Sequence, residues 1–217
     1  MNDLYRVLTE LIIPEFGNTV YMMFYSTIFS TLLGFFVAII LYISDYRGLH
    51  PNKILHQILE VIVNIIRSFP FIILAVALIP ITRVLIGTSI GRTAAIVPLT
   101  MIATPFTAKL IESALREVDE ELVQAAKSLG GNNFQIVCLM IKEAMPAIVL
   151  GITLSVITIL NCTAMAGAIG AGGLGNVALT YGYQGFNEKI MYSVVIILVI
   201  MVQILQKIGD LCYRKLK

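Results

Sequence analysis

Residues 124–146, QAAKSLGGNNFQIVCLMIKEAMP, interrupt a chain that is otherwise dominated by long hydrophobic runs. The stretch is polar and reads as two short helices in series. Asp119, just before it, caps the first, and Glu120 and Glu121 sit at the positive end of its dipole. Leu122, Ala125, Ala126 and Leu129 recur at i, i+3, i+4 and i+7, a small apolar stripe. Gly130 and Gly131 stop that helix as a C-terminal cap. Asn132 starts the second, with Gln135 placed for a capping box. Phe134, Val137, Ile141 and Met145 share one face, which suits a helix lying along a membrane surface. Pro146 is then expected to break it from the next span. Patterning alone leaves two readings open: a solvated connector, or a docking knob of two alanines between leucines.

The surrounding sequence makes the bilayer the solvent. Apolar residues are 58% of the 217 and charged residues 13%, against about 45–50% and 25% in soluble domains. Residues 16–44 and 144–187 carry no charge at all. A helix crosses the roughly 30 Å hydrocarbon core in about 20 residues. The pattern predicts an all-α membrane protein with five spans, near 19–43, 59–79, 93–111, 147–166 and 190–208. Residues 1–15 form an outer tail, 16–208 the membrane unit with its inner loop at about 117–146, and 209–217 an inner tail. An odd number of spans does not divide into inverted halves.

Orientation follows from the cations. Arg47, Lys53, Lys109, Arg116, Lys127, Lys142, Lys207, Arg214, Lys215 and Lys217 fall on one side, and Arg6, Arg83, Arg92 and Lys189 on the other. The positive-inside rule places the N-terminus outside and the C-terminus in the cytoplasm. The first span has no cleavage-site pattern and reads as an anchor.

Little else in the sequence points to chemistry. Cys138, Cys162 and Cys212 form no CxxC pair, so neither a disulfide framework nor a metal site is expected. His50 and His56 fall on different helix faces and read as interfacial residues. No nucleophile–base or paired-carboxylate arrangement lies at membrane depth, and no cofactor, metal or nucleic acid is implied. Gly170-Ala171-Gly172-Gly173-Leu174-Gly175 fits GxGxxG, but a dinucleotide site needs a strand before it and a helix after it. Here the glycines end a membrane span and are expected to make a compact outer loop. A GxxxxGK[ST] loop is missing, so nucleotide hydrolysis, if used, belongs to another chain.

Gln124, Ala125, Ala126, Gly130 and Pro146 resemble the EAA motif of bacterial ABC-importer permeases, with the family's gap between glycine and proline. Gln124 stands where the family has an acid, and Met145 where it has a leucine. Residues 67–74, 86–91, 94–100, 170–175 and 181–183 are similar to the methionine-importer permeases of that family. The resemblance implies a type I ABC importer permease fold. It also implies a pair of permease copies, a pair of ATPase subunits, an extracytoplasmic substrate-binding protein and a bacterial plasma membrane. The permease itself would be no enzyme. Glu121, Leu122, Gln124, Ala125, Ala126, Leu129 and Gly130 would then form the coupling helix that the ATPase grips.

Candidate pathway residues are Arg67, Pro70, Asn161, Thr163 and Met165. Arg67 reads as a charge inside an apolar span, at a cost of roughly 2.5–3.5 kcal/mol on insertion scales. It serves either as a gate or by snorkelling and capping carbonyls freed at Pro70. Asn161, Thr163 and Met165 either line a passage or glue helices together. Pro98 and Pro105 are expected to kink the third span. A related permease for another solute, or a self-contained carrier or channel, are the alternatives. A proton-coupled carrier would bury an acid or histidine at mid-membrane, and none falls there.

Overall fold

The structure, a computed structural model, describes residues 7–46 and 48–217. Asp3, Arg6 and the first part of the 1–15 tail, and Arg47 among the counted cations, lie outside the described residues. A π-helical turn, Val7–Ile12, runs directly into α1, Ile13–Ser44. Then follow α2, Lys53–Ser68; α3, Phe71–Ala77; α4, Ile79–Ile86; α5, Arg92–Arg116; α6, Glu120–Ser128; and α7, Asn133–Gly167. A short α8, Gly173–Asn176, passes into a π-helical segment, Val177–Gln184, and α9, Glu188–Leu216, ends the chain.

Small residues decide how these helices pack. Thr19, Met22, Ser26, Ser30, Gly34, Ala38 and Leu41 are buried along α1, most of them four residues apart. That places Ser26, Ser30, Gly34 and Ala38 in a small-residue seam, the device by which membrane helices approach closely when lipid removes the hydrophobic drive to associate. The seam lies on α5. A side chain at Gly34 would meet Thr104 O and Thr107 Cβ, both at 3.0 Å. On its other side α5 meets α7, where the Thr107 and Ser155 hydroxyls are 2.6 Å apart in a buried hydrogen bond. Pro98 and Pro105 both lie within α5, which is one continuous helix.

Among the described residues, four helical segments have the length and apolarity to cross a membrane: Glu10–Ser44, Arg92–Arg116, Asn133–Gly167 and Glu188–Leu216. The fifth expected span, 59–79, is not a straight helix. α2 and α3 meet at 107°, with Phe69 and Pro70 both extended at ψ 132° and 134°. Proline disfavours the α conformation at the residue before it, and here Phe69 is extended and the chain turns. Counted as one bent element, the pair brings the number to five.

The second half of the inner loop also differs from expectation. Pro146 does not end a surface helix; α7 runs through it for 35 residues, about 52 Å. That exceeds the roughly 30 Å hydrocarbon thickness, so the first turns of α7 are the polar extension of a span. Its Asn132 cap is as expected: Asn132 Oδ1 accepts from Gln135 N and Gln135 Oε1 from Asn132 N, each at 2.9 Å. The buried face is Ile136, Met140, Ala144 and Ile148. Phe134, of the face predicted to lie on the membrane, is 76% exposed.

At the opposite end of α7 the glycine loop is as compact as the sequence suggests. Gly170, Gly172 and Gly173 have φ of 88°, 77° and 83°. A Cβ on Gly175 would collide with Ala164 O, and one on Gly167 with Asn176 N. The loop is tied to α1: the Gly173 N–H donates to Glu15, and the Leu174 N–H to Thr19 Oγ1 at 2.8 Å.

Candidate functional site

α6 is nine residues long and buries none of them fully. Asp119 Oδ1 accepts the Glu121 N–H at 2.8 Å, the cap the sequence predicts. Gly130 takes φ 79°, and Gly130 N and Gly131 N close the helix on Lys127 O and Ala126 O, each at 3.0 Å. The predicted stripe divides. Leu122 and Ala126, with Val123, pack against a buried cluster that includes Leu115, Val118, Ile136 and Met140. Glu121, Gln124 and Ala125 face away and are exposed, and Leu129 is 88% exposed. A stripe at i, i+3, i+4 and i+7 has width, and this one straddles the edge between body and surroundings. The outcome is a helix seated on one face and open on the other.

Beside α6 lies a cavity of about 580 Å³ whose lining includes Tyr42, Asp45, Arg116, Glu120, Gln124 and Lys127. Arg116 in its wall belongs to a chain of ion pairs that the sequence reading missed. Its Nη2 meets Glu112 Oε1 at 2.6 Å, and its Nη1 meets Asp45 Oδ2 at 3.0 Å. The buried Glu112 also meets Lys109 Nζ at 2.9 Å. Lys109 reaches Glu60 on α2 at 3.2 Å, and Glu60 lies 3.5 Å from His56. His56 Nδ1 is 3.1 Å from Leu41 O. Three helices are thereby joined at the α6 end of the molecule. A buried carboxylate is costly unless paired, and Glu112 has a cation on each side. Lys109, Glu112 and Arg116 at i, i+3 and i+7 were a visible signal of ion pairing on one helix face. Asp45 and Glu60 are remote in sequence and gave none.

The pathway candidates are not brought to one place. Arg67 lies in the last turn of α2 and is exposed. It is therefore at a helix end, where its charge complements the dipole, rather than inside a continuous span. Pro70 makes the break that follows. Asn161 and Met165 are exposed and four residues apart on α7. Thr163 is buried and donates to Leu160 O at 2.7 Å, on the other side of the helix. Asn161 borders a groove of about 280 Å³ shared with Gln203 of α9. Among the described residues no cluster of His, Cys, Asp and Glu is placed to hold a metal ion.

Comparison with known proteins agrees along nearly the whole length. The family model described as "Binding-protein-dependent transport system inner membrane component" matches residues 30–217. The probable D-methionine transport system permease MetI of Vibrio cholerae is 43% identical over 208 residues, covering 95% of this chain and 92% of that protein. The methionine import system permease MetP of Bacillus subtilis is 42% identical, with 79% and 78% covered. Among solved structures, a chain of the MetNI methionine ABC transporter in an inward-facing conformation superposes with a TM-score of 0.94. Its identity is 41%, and 97% of this chain and 98% of that one are covered. An amino acid ABC transporter with histidines, at 21% identity and TM-score 0.79, shares the fold.

Proposed function

The chain belongs to the family of binding-protein-dependent transport system inner membrane components, and we propose that it is the permease subunit of an ATP-driven methionine importer. What carries this reading is likeness to methionine permeases along almost the entire chain, at 42–43% identity. In that assembly two copies enclose a pathway that one copy does not. Two ATPase subunits supply the hydrolysis, and an extracytoplasmic binding protein delivers the amino acid. The permease carries no hydrolytic chemistry of its own.

α6 is the coupling helix in this reading. Glu121, Gln124, Ala125 and Leu129 form the face the ATPase grips. Leu122 and Ala126 seat the helix on the membrane unit, and Gly130 lets the chain reverse into α7. The membrane unit is 16–208, the coupling loop about 117–146, and the cytoplasmic end 209–217. In this reading Arg67 and Pro70 at the α2–α3 bend, and Asn161 and Met165 on α7, border the pathway between the two copies. Thr163 serves helix packing. The N-terminus is outside and the C-terminus cytoplasmic, as the cation asymmetry requires. Labelling of single cysteines at the two ends in intact cells should give opposite accessibility; equal accessibility removes this orientation.

The function itself is tested by uptake of labelled methionine in cells lacking other methionine importers, with this permease and its ATPase and binding protein restored. Methionine should accumulate only when all three are present and ATP is available. Uptake of another solute with none of methionine would remove the methionine assignment and keep the importer.

A further inference from the structure

α2 is attached to the molecule in an unusual way. Of its 16 residues only Val63 is buried, and Ile54, Ile58, Val61, Ile62 and Ile65 are about half exposed or more. Packing therefore fixes its position weakly. Polar attachments to the rest of the chain run from Glu60 to Lys109 and from His56 to Leu41 O. Lys109 leads through Glu112 to Arg116, in the last turn of α5. Four residues later, at Glu120, α6 begins, seated on Leu115 and Val118 of the same junction. The polar residues of α2, Lys53, Gln57, Glu60, Asn64 and Arg67, recur at steps of four and three and so share one face. The helix ends at the bend that carries Arg67 and Pro70.

We propose that Glu60 and Lys109 form a positioning tie, anchored by Glu112, that transmits displacement of α6 to α2 and hence to the bend bordering the pathway. The proposal rests on the importer reading. A packed interface transmits motion because its parts cannot slide freely; α2 lies against α1 and α5 but buries only Val63 there, so the ion pairs share that role. Glu112 suits the anchor, because it is buried, held from both sides and unable to leave its cations without a desolvation cost. Glu60 is 42% exposed, so its loss alters the tie without leaving a buried charge unpaired.

The test uses the permease–ATPase complex with its binding protein in proteoliposomes, with ATP hydrolysis and methionine uptake measured together. Glu60→Gln should assemble normally and hydrolyse ATP at the wild-type rate. Methionine moved per ATP should fall about three- to fivefold, the scale of one partly exposed ion pair. Lys109→Gln, which also takes one cation from the buried Glu112, should lose at least as much, and adding Glu60→Gln to it should cost nothing further, because Glu60 has already lost its partner. Glu60→Asp should recover part of the ratio. A wild-type transport ratio in Glu60→Gln overturns the proposal, as do additive losses or a loss matched by reduced complex yield. Absence of methionine uptake in the wild type would instead strike the methionine-importer reading on which the readout rests, so the two failures are distinguishable.

Discussion

α5 and α2 are both apolar helices of one membrane unit, yet α5 buries fourteen of its 25 residues and α2 one of its 16. α5 lies between α1 and α7, with a seam of small residues on one side and a hydroxyl pair on the other. α2 presents isoleucines outward and is followed by a right-angle turn. In water such exposure would be a defect. In a bilayer, lipid solvates those side chains as well as another helix does, so exposure marks freedom to move and to meet a second copy. The comparison sets a body, α1, α5 and α7, to which α3 returns Phe71, Leu74 and Ala75, against an arm, α2.

The body should be intolerant of any added volume. Gly175→Val places a branched side chain where a Cβ already collides with Ala164 O, a backbone atom that cannot turn aside. The folded yield in membranes should drop severely, by the equivalent of about 3 kcal/mol or more. A normal yield and melting temperature would show that the glycine loop is softer than the body to which it is assigned.

Truncation then separates body from arm. Leu99 on α5 is fully buried, and Leu99→Ala should cost about 2–5 kcal/mol through lost contacts and a cavity. Ile62 on α2 is 47% exposed, and Ile62→Ala should cost about 1 kcal/mol or less. Thermal unfolding of the purified permease dimer reads both. A large loss at Ile62 would mean that the second copy packs over this face, making the arm a buried element of the assembly.

Gly130→Ala probes the junction at smaller scale. Nothing lies within 4 Å of the added Cβ, but the residue holds φ 79°, which costs an L side chain about 1–2 kcal/mol. The loss should appear in the α6–α7 turn, as faster amide exchange there, with the body unchanged. Exchange that accelerates throughout α7 would show that the turn and the body unfold together.

The body was largely legible before the structure. Long uncharged runs announced α1, α5, α7 and α9, and Asp119, Gly130, Asn132 and Gln135 marked caps that are present. The arm was not, because Pro70 can kink a helix or break it and only packing decides which. Pro146 went the other way. It looked like a terminus, yet α7 passes through it, since a long span is held by its neighbours as well as by its own ladder. The small-residue seam of α1 was in plain view at Ser26, Ser30, Gly34 and Ala38, but its partner α5 is some seventy residues away. The links from Arg116 to Asp45 and from Lys109 to Glu60 were missed for the same reason, whereas the pairs of Glu112 with Lys109 and Arg116 were local and visible in the spacing. The caps that bound the predicted coupling segment were legible, while its division into a seated face, Leu122 and Ala126, and an open one, Gln124, Ala125 and Leu129, needed the fold.

The central claim is that the open face of α6 is where ATP hydrolysis is converted into transport. Ala125 lies on that face and is exposed, whereas Leu122 packs on the buried cluster. The most direct measurement is methionine uptake together with ATPase co-purification for Ala125→Asp. Permease yield and melting should match the wild type, while uptake falls at least about tenfold, the equivalent of 1.4 kcal/mol, and the ATPase is released or hydrolyses without transport. Wild-type uptake with the ATPase still bound would make α6 a connector and contradict the account.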